Sequence, residues 1–216
     1  MSQPPETAPP APRASEEDLR LVRRLRAGDE SAFMELVERY NGSLVRLART
    51  FVSSQAVAED VVQEAWIGVL RGIDRFEGRS SLRTWIYRIL ANTAKTRGAR
   101  EARSVAFASL GDDAEGATVD ADRFLVSGGW ASFPRTWSDQ PETRLLGDET
   151  NAVITAAIDS LPPRQAAVIR LRDVDGFSSA EVRELLDISE VNQRVLLHRA
   201  RAKVRAALEE YLEGAA

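Results

Sequence analysis

From Ser15 onward apolar residues recur at spacings of three and four: Leu19, Val22 and Leu25, then Phe33, Leu36, Val37 and Tyr40, then Leu44, Leu47, Ala48 and Phe51. That is the period of helices with one buried stripe, and Gly28-Asp29 and Asn41-Gly42 read as the breaks between runs. The longest periodic stretch, 54–76, aligns Val57, Val61, Ala65, Gly68 or Val69, and Ile73, with Ser54 placed to cap its first turn. A helix over 82–97 puts Leu82, Trp85, Ile86, Ile89, Leu90 and Thr93 on one stripe. Its opposite side carries Arg83, Thr84, Tyr87, Arg88, Asn92 and Lys95. Four or five helices and no convincing strand are predicted by residue 103.

Beyond that point the period is lost. Residues 104–147 are rich in Gly, Asp and Ser, and between Gly111 and Thr150 nine acidic residues stand against three basic ones. A linker of about forty residues exceeds what one compact domain tolerates and argues for two domains. Helical spacing then resumes. Leu161-Pro162-Pro163 starts a helix through Leu171, Ser178 and Glu181 form a capping box for the next, and Ser189 caps a third that runs to about Leu212. The last two flank Asp187-Ile188 and have the dimensions of a helix-turn-helix. At the other end, Pro4, Pro5, Pro9, Pro10 and Pro12 prevent regular structure. The expected layout is therefore all-α: a disordered tail over 1–14, a helical domain over 15–103, a flexible acidic linker over 104–147, and a helix-turn-helix domain over 148–212.

Composition narrows the chemistry. The chain has 216 residues with 44% hydrophobic content, enough for one or two small cores, and contains no Cys and a single His. Disulfides, Cys/His zinc sites and a cysteine nucleophile are excluded. No apolar run is long enough to span a membrane and the first residues lack a signal pattern, so a cytoplasmic protein without membrane insertion is expected.

Charge changes the picture more. The whole chain is slightly acidic, 33 Asp plus Glu against 29 Lys plus Arg, yet residues 78–100 hold six Arg and Lys, one Trp and one Tyr without any acid. A solvated helix face accounts for charge on one side. It does not account for charge of a single sign, for Thr84 and Asn92 set between the cations, or for continuation through Arg97 and Arg100 to Arg103. Cations that seek phosphates, with base-competent polar and aromatic groups between them, suit a nucleic acid, especially one with unstacked bases. A second basic block, Arg194, Arg199, Arg201, Lys203 and Arg205, lies on the expected reading helix, with Glu190 its only acid before residue 209. Such a helix enters the major groove by its N-terminal half while cations further along fix phosphates. An Arg-rich bundle surface is the plain alternative.

Glu59, Asp60, Gln63 and Glu64 are spaced as paired carboxylates around a metal would be, but no ligand from another segment and no glycine-rich phosphate loop accompanies them, so no metal or cofactor is expected. His198 has no nucleophile beside it and reads as a polar residue of the last helix. Trp130, Phe133 and Trp137 in the linker suit either a satellite cluster or docking anchors.

Two stretches together, AEDVVQEAWIGVLRGIDRFEGRSSLRTWIYRILANTAKTRGAR and, after the linker, DSLPPRQAAVIRLRDVDGFSSAEVRELLDISEVNQRVLLHRARAKVR, resemble the extracytoplasmic-function sigma factors of bacterial RNA polymerase. The likeness covers roughly residues 20–103 and 148–210. It implies a second and a fourth sigma domain joined by a linker in place of the third. It further implies that the 60–76 helix binds the clamp helices of the largest polymerase subunit through Asp60, Val61, Gln63, Glu64, Trp66 and Ile67, with the polymerase flap a further contact. The 82–97 helix and a loop after it, about Arg97 to Val105, would engage the minus-ten element and hold a flipped-out base, through Arg83, Thr84, Trp85, Tyr87, Arg88, Asn92, Lys95, Arg97, Arg100 and Arg103. Ser189, Asn192, Arg194, Val195, Arg199, Arg201 and Lys203 would meet the minus-thirty-five element, and the linker would thread the polymerase's positive channels. Promoter DNA, core polymerase and an anti-sigma protein are the implied partners, and no covalent reaction is expected.

One departure stands out. Members of that family often carry a small residue, Thr-Val and Lys-Ser-Arg early in the reading helix, where this chain has Val191-Asn192-Gln193-Arg194-Val195-Leu196. Val195 and Leu196 can touch a thymine methyl but make no bidentate hydrogen bond, which leaves Asn192 and Arg199 as base-edge candidates. Other readings are a stand-alone helix-turn-helix regulator with an N-terminal helical sensing domain, and a metal-dependent nuclease built on Glu59, Asp60 and Glu64.

Overall fold

The first helix begins where a capping box can form. In the computed structural model, which describes residues 13–105 and 143–214 with side chains over 13–101 and 149–213, α1 (Glu16–Arg26) starts with Ser15 Oγ accepting from Asp18 N while the Asp18 carboxylate accepts from Ser15 N. Two of the donors at the helix start are thereby met. α2 (Glu30–Ala48) is capped by Asp29, whose carboxylate takes the amides of Ser31 and Ala32. Arg24 binds that carboxylate at 2.8 Å, Ser31 Oγ at 2.8 Å and Glu35 at 3.2 Å, which fastens the α1–α2 turn.

α2 runs straight through Asn41-Gly42, where the sequence suggested a break. Leu36, Leu44 and Leu47 on both sides of that pair share one buried face, and the burial of that stripe outweighs a single exposed glycine. Asn41 has its own use, accepting from Trp66 Nε1 at 3.1 Å. α3 (Gln55–Gly72) is capped by Ser54, as expected, and ends in a 3₁₀ turn, Ile73–Arg75. The Arg26 guanidinium gathers the carbonyls of Ile73, Asp74 and Phe76 at 2.7–3.2 Å, so the turn leading to α4 is held by α1.

α4 (Leu82–Val105) opens under Ser81, which accepts from Thr84 N, and Asp18 reaches across to take Leu82 N at 3.2 Å. It lies on α3 over two small residues: a Cβ on Gly68 would stand 3.0 Å from Ile89, and one on Gly72 would stand 3.1 Å from Trp85. The loop expected from about Arg97 does not occur, because α4 continues to Val105. Gly98 does not stop it. A Cβ there would fall 2.3 Å from the Phe51 carbonyl oxygen, so this glycine serves a close approach and not a helix end.

The C-terminal helices are α5 (Thr143–Asp159), α6 (Pro163–Ile169), α7 (Ser179–Leu186) and α8 (Glu190–Gly214), with a π turn over Arg170–Val174. α5 begins inside the stretch read as linker, since its amphipathic start is diluted by Gly147 and Asp148. Both C-terminal caps are as expected: Ser178 and Glu181 form a capping box, and Ser189 Oγ accepts from Asn192 N. Asp187, at φ 57°, makes the left-handed turn between α7 and α8. All described elements are helical. The Pro-rich tail and the linker aromatics Trp130, Phe133 and Trp137 lie outside the described residues.

Contacts divide the chain into two compact units, and the division does not follow chain order: 175–187 clusters with the N-terminal helices, while the second unit takes 111–174 and 188–216. The first unit buries Leu36, Leu44, Leu47, Val61, Val62, Leu82, Ile86 and Leu90 at 2% exposure or less. In the second, Ile158, Leu161, Val168, Leu171, Leu197, Ala200 and Leu208 are buried. Arg201 forks onto Asp173 with both bonds at 2.7 Å.

Candidate nucleic-acid interface

α4 presents two different halves. Along its N-terminal half the polar residues read as DNA-facing are already engaged by the 175–187 segment of the same unit. Thr84 is 1% exposed and donates to Glu181 Oε1 at 2.6 Å. Tyr87, also 1% exposed, stacks at a tilt on Phe177 with centroids 4.7 Å apart, sets its edge on Tyr40, and donates to Ser43 Oγ at 2.7 Å. Arg83 donates to the Asp175 carbonyl and lies 4.0 Å above the Phe177 ring, and Arg88 pairs with Glu184. The simple two-sided helix of the sequence reading is thus corrected: Thr84 and Tyr87 are buried, because α2 and the 175–187 segment pack against the side expected to be wet. Trp85 is a packing residue, half-buried on Gly72 and against Phe76 at 5.3 Å.

This enclosure shifts two titrations. Burial, then the nearby Asp175 charge, pushes the Tyr87 phenol up to about 12. Burial raises the Glu181 carboxyl, but hydrogen bonds from Thr84 and Ser178 outweigh it and hold the group below its usual range.

Along the C-terminal half α4 is open. Asn92, Thr96 and Arg100 are exposed, Lys95 and Arg97 half-exposed. A cavity of about 290 Å³ is lined by Glu64, Asn92, Thr93, Thr96, Arg97 and Arg100. Arg97 stands 4.0 Å from Glu64 at its edge. Cations, an amide and two hydroxyls around a shallow recess can bind phosphates and the edge of an unstacked base. The Arg103 side chain lies outside those described.

α3 sorts the residues assigned to polymerase. Asp60, Gln63, Glu64 and Ile67 are exposed on one stripe, Ile67 by 47%. Val61 and Trp66 are not on it: they are 1% and 7% exposed, and Trp66 meets Phe33 edge-on at 5.6 Å. The helical period explains the error, since 61 and 66 fall on the buried side of a helix whose exposed line is 60, 63, 64 and 67. Leu70, 46% exposed, extends that line and went unread in the sequence. An apolar residue out of phase with the core stripe was the available signal.

On α8, Val191, Val195, Arg199 and Lys203 follow one another at four-residue spacing, all exposed, Val191 by 70% and Val195 by 42%. Two apolar residues near the start and two cations further along therefore share one face. Arg194 is exposed beside Glu190 at 3.0 Å and Asn192 is half-buried. Arg201 departs from the expected set: its side chain is 12% exposed and spent on Asp173, so it braces the second unit. Arg205 is likewise buried and holds Glu209 at 2.7 Å.

With these surfaces in view, comparison with known proteins is direct. Residues 36–104 match sigma-70 region 2, and residues 152–204 match sigma-70 region 4. These two regions define a sigma factor of the sigma-70 class. The chain is 34% identical over 184 residues to the ECF RNA polymerase sigma-E factor of Escherichia coli strain K12, covering 85% of this chain and 90% of that one. It is 32% identical over 193 residues to the sigma-E factor of Haemophilus influenzae, covering 89% and 95%. Among solved structures, CnrH in complex with the cytosolic domain of CnrY matches with a TM-score of 0.52 at 21% identity, over 90% of this chain and 99% of that chain, and so shares the fold. The chain belongs to the ECF sigma factors of RNA polymerase.

Proposed function

We propose that this sigma factor binds core polymerase through the exposed line of α3 and reads a two-part promoter through α4 and α8, without catalysing a covalent reaction and without a cofactor. The observation that carries the reading is the open half of α4, where Asn92, Thr96, Arg97 and Arg100 line a recess beside α3 and Lys95 is half-exposed on the same half. Asp60, Gln63, Ile67 and Leu70 offer the mixed acidic and apolar surface that a basic, partly apolar helix pair such as the clamp helices would accept. Arg83, Thr84 and Arg88 would join the minus-ten contacts when free of their present partners. On α8, Val191 and Val195 would meet thymine methyls while Arg199 and Lys203 hold phosphates. The polymerase flap, a cytoplasmic location and an anti-sigma protein as restraint belong to the same reading. Among the described residues no helix is long and apolar enough to cross a membrane.

Promoter-dependent open-complex formation with purified core polymerase tests the reading. Lys95→Ala and Arg97→Ala should each flatten the salt dependence by about one unit of slope or somewhat less. Asn92→Ala should instead change preference at one minus-ten base. Parental behaviour from all three would remove α4 from the DNA interface.

A further inference from the structure

We infer, on the reading of α4 as a DNA-facing helix, that Glu101 is a positioning residue for the nucleic acid: by holding the 49–54 turn it keeps the last turns of α4 helical, and so keeps Arg100 on the DNA-facing line. Glu101 is the only acid from Leu82 to Val105 and follows directly on the acid-free basic run. Near the C-terminal end of a helix an acid opposes the macrodipole, and among cations it repels phosphate. Helix stability and DNA affinity therefore both argue against an acid at this position. Its carboxylate is used elsewhere: Oε2 accepts from Ser53 N, in the turn between α2 and α3, at 3.0 Å.

The open half of α4 needs such an anchor. Asn92, Thr93, Thr96 and Gly98 fall within seven residues, and all are weak helix formers. The hydroxyls of Thr93 and Thr96 donate back to the carbonyls of Ile89 and Asn92, which loosens a helix further. Ala94 is the last buried residue of α4 among those described. Beyond it the helix is held by Gly98 against the Phe51 carbonyl oxygen and by Glu101 on Ser53 N, two contacts with the same turn. That turn is firm, because Thr50 N and Phe51 N bond to the end of α2 and Thr50 Oγ1 donates to the Leu47 carbonyl at 2.7 Å. Asn92, Thr96 and Arg100 are exposed at four-residue spacing, so they share one face only while the helix persists through Gly98. Fraying from that point takes Arg100 off the line and out of the recess it helps to form.

The test is fluorescence anisotropy of a labelled oligothymidylate with the full chain at low salt, in the absence of polymerase. Glu101→Ala removes an acid and introduces the best helix former, so charge and propensity both favour tighter binding. Loss of the anchor acts in the opposite direction, and Kd should rise about fivefold as the helical fraction at Arg100 falls. Glu101→Gln makes the same charge change but keeps a carbonyl for Ser53 N, and should bind at least as tightly as the parent. Arg100→Ala should itself weaken binding, and adding Glu101→Ala to it should change Kd by no more than about twofold; a general loss of structure would weaken that background as well. The positioning role is overturned if Glu101→Ala binds as tightly as Glu101→Gln, or if it weakens the Arg100→Ala background as much as the parent. Lys95→Ala with Arg97→Ala separates the two failures. If that pair leaves affinity unchanged, or the parent does not bind, α4 is not a DNA surface and the role of Glu101 falls with that reading; if the pair weakens binding while Glu101→Ala matches Glu101→Gln, only the positioning role falls.

Discussion

Tyr87 is the residue at which packing and titration meet. Its phenol is neutral in the folded chain up to about 12, whereas an unfolded tyrosine ionises near about 10. The unfolded state therefore gains from ionisation first. Stability on this account is complete below about pH 10 and declines as pH rises from there toward 12. Tyr87→Phe should cost about 1 kcal/mol at neutral pH through the lost Ser43 bond, and denaturant titrations at alkaline pH should show that part of the decline removed. Gly98 makes a second residue-scale case. Alanine is the better helix former by about 1 kcal/mol, but its methyl would sit 2.3 Å from a backbone oxygen that cannot rotate away. Gly98→Ala is expected to lower stability by about 1–3 kcal/mol; a raised thermal midpoint would show that Phe51 moves aside freely.

At the scale of elements, α3 and α4 each present surfaces of opposite use. The buried side of α3 is set by Val61, Val62, Ala65 and Trp66, and the exposed side by Asp60, Gln63, Ile67 and Leu70. Trp66→Ala should cost about 3–5 kcal/mol of stability through the cavity it leaves. Ile67→Ser with Leu70→Ser should change stability by no more than about 0.5 kcal/mol per site while weakening retention on immobilised core polymerase. Asp60→Arg with Glu64→Arg should do the same by adding repulsion, and unchanged retention by both pairs would take α3 out of the polymerase interface. In α4 the division runs along the axis: the first turns are sheltered by 175–187 and the last are open.

For the whole molecule, the consequence is that the residues proposed to face DNA ride on both compact units, α4 on the first and α8 on the second. On that proposal, once both units are held on polymerase the two helices would act as a bivalent reader whose second contact is intramolecular. Insertion of about five base pairs between the two promoter elements turns one of them to the opposite face of the duplex. Transcription from such a template should fall to the level of one lacking the minus-thirty-five element, while binding of free oligonucleotides by α4 stays the same. Equal output from both spacings would show that the helices read DNA independently.

Sequence alone determined the helical architecture, the caps at Ser54, Ser178 and Ser189, the acid-free basic run over 78–100, and the family through two long motifs in order. Those properties are local, written by periodicity, capping chemistry and charge within a few turns. Tertiary structure decided which side of each helix is wet. It carried α2 through Asn41-Gly42 and α4 past Gly98, sent Val61 and Trp66 into the core, bound Arg201 to Asp173, and placed 175–187 over Thr84 and Tyr87. Each outcome depends on a partner distant in the chain: Phe51 for Gly98, Asn41 for Trp66, Glu181 for Thr84. A helical period ranks positions by angle but does not count how many neighbours will cover them, so only long-range packing separates a DNA-ready arginine from one already engaged.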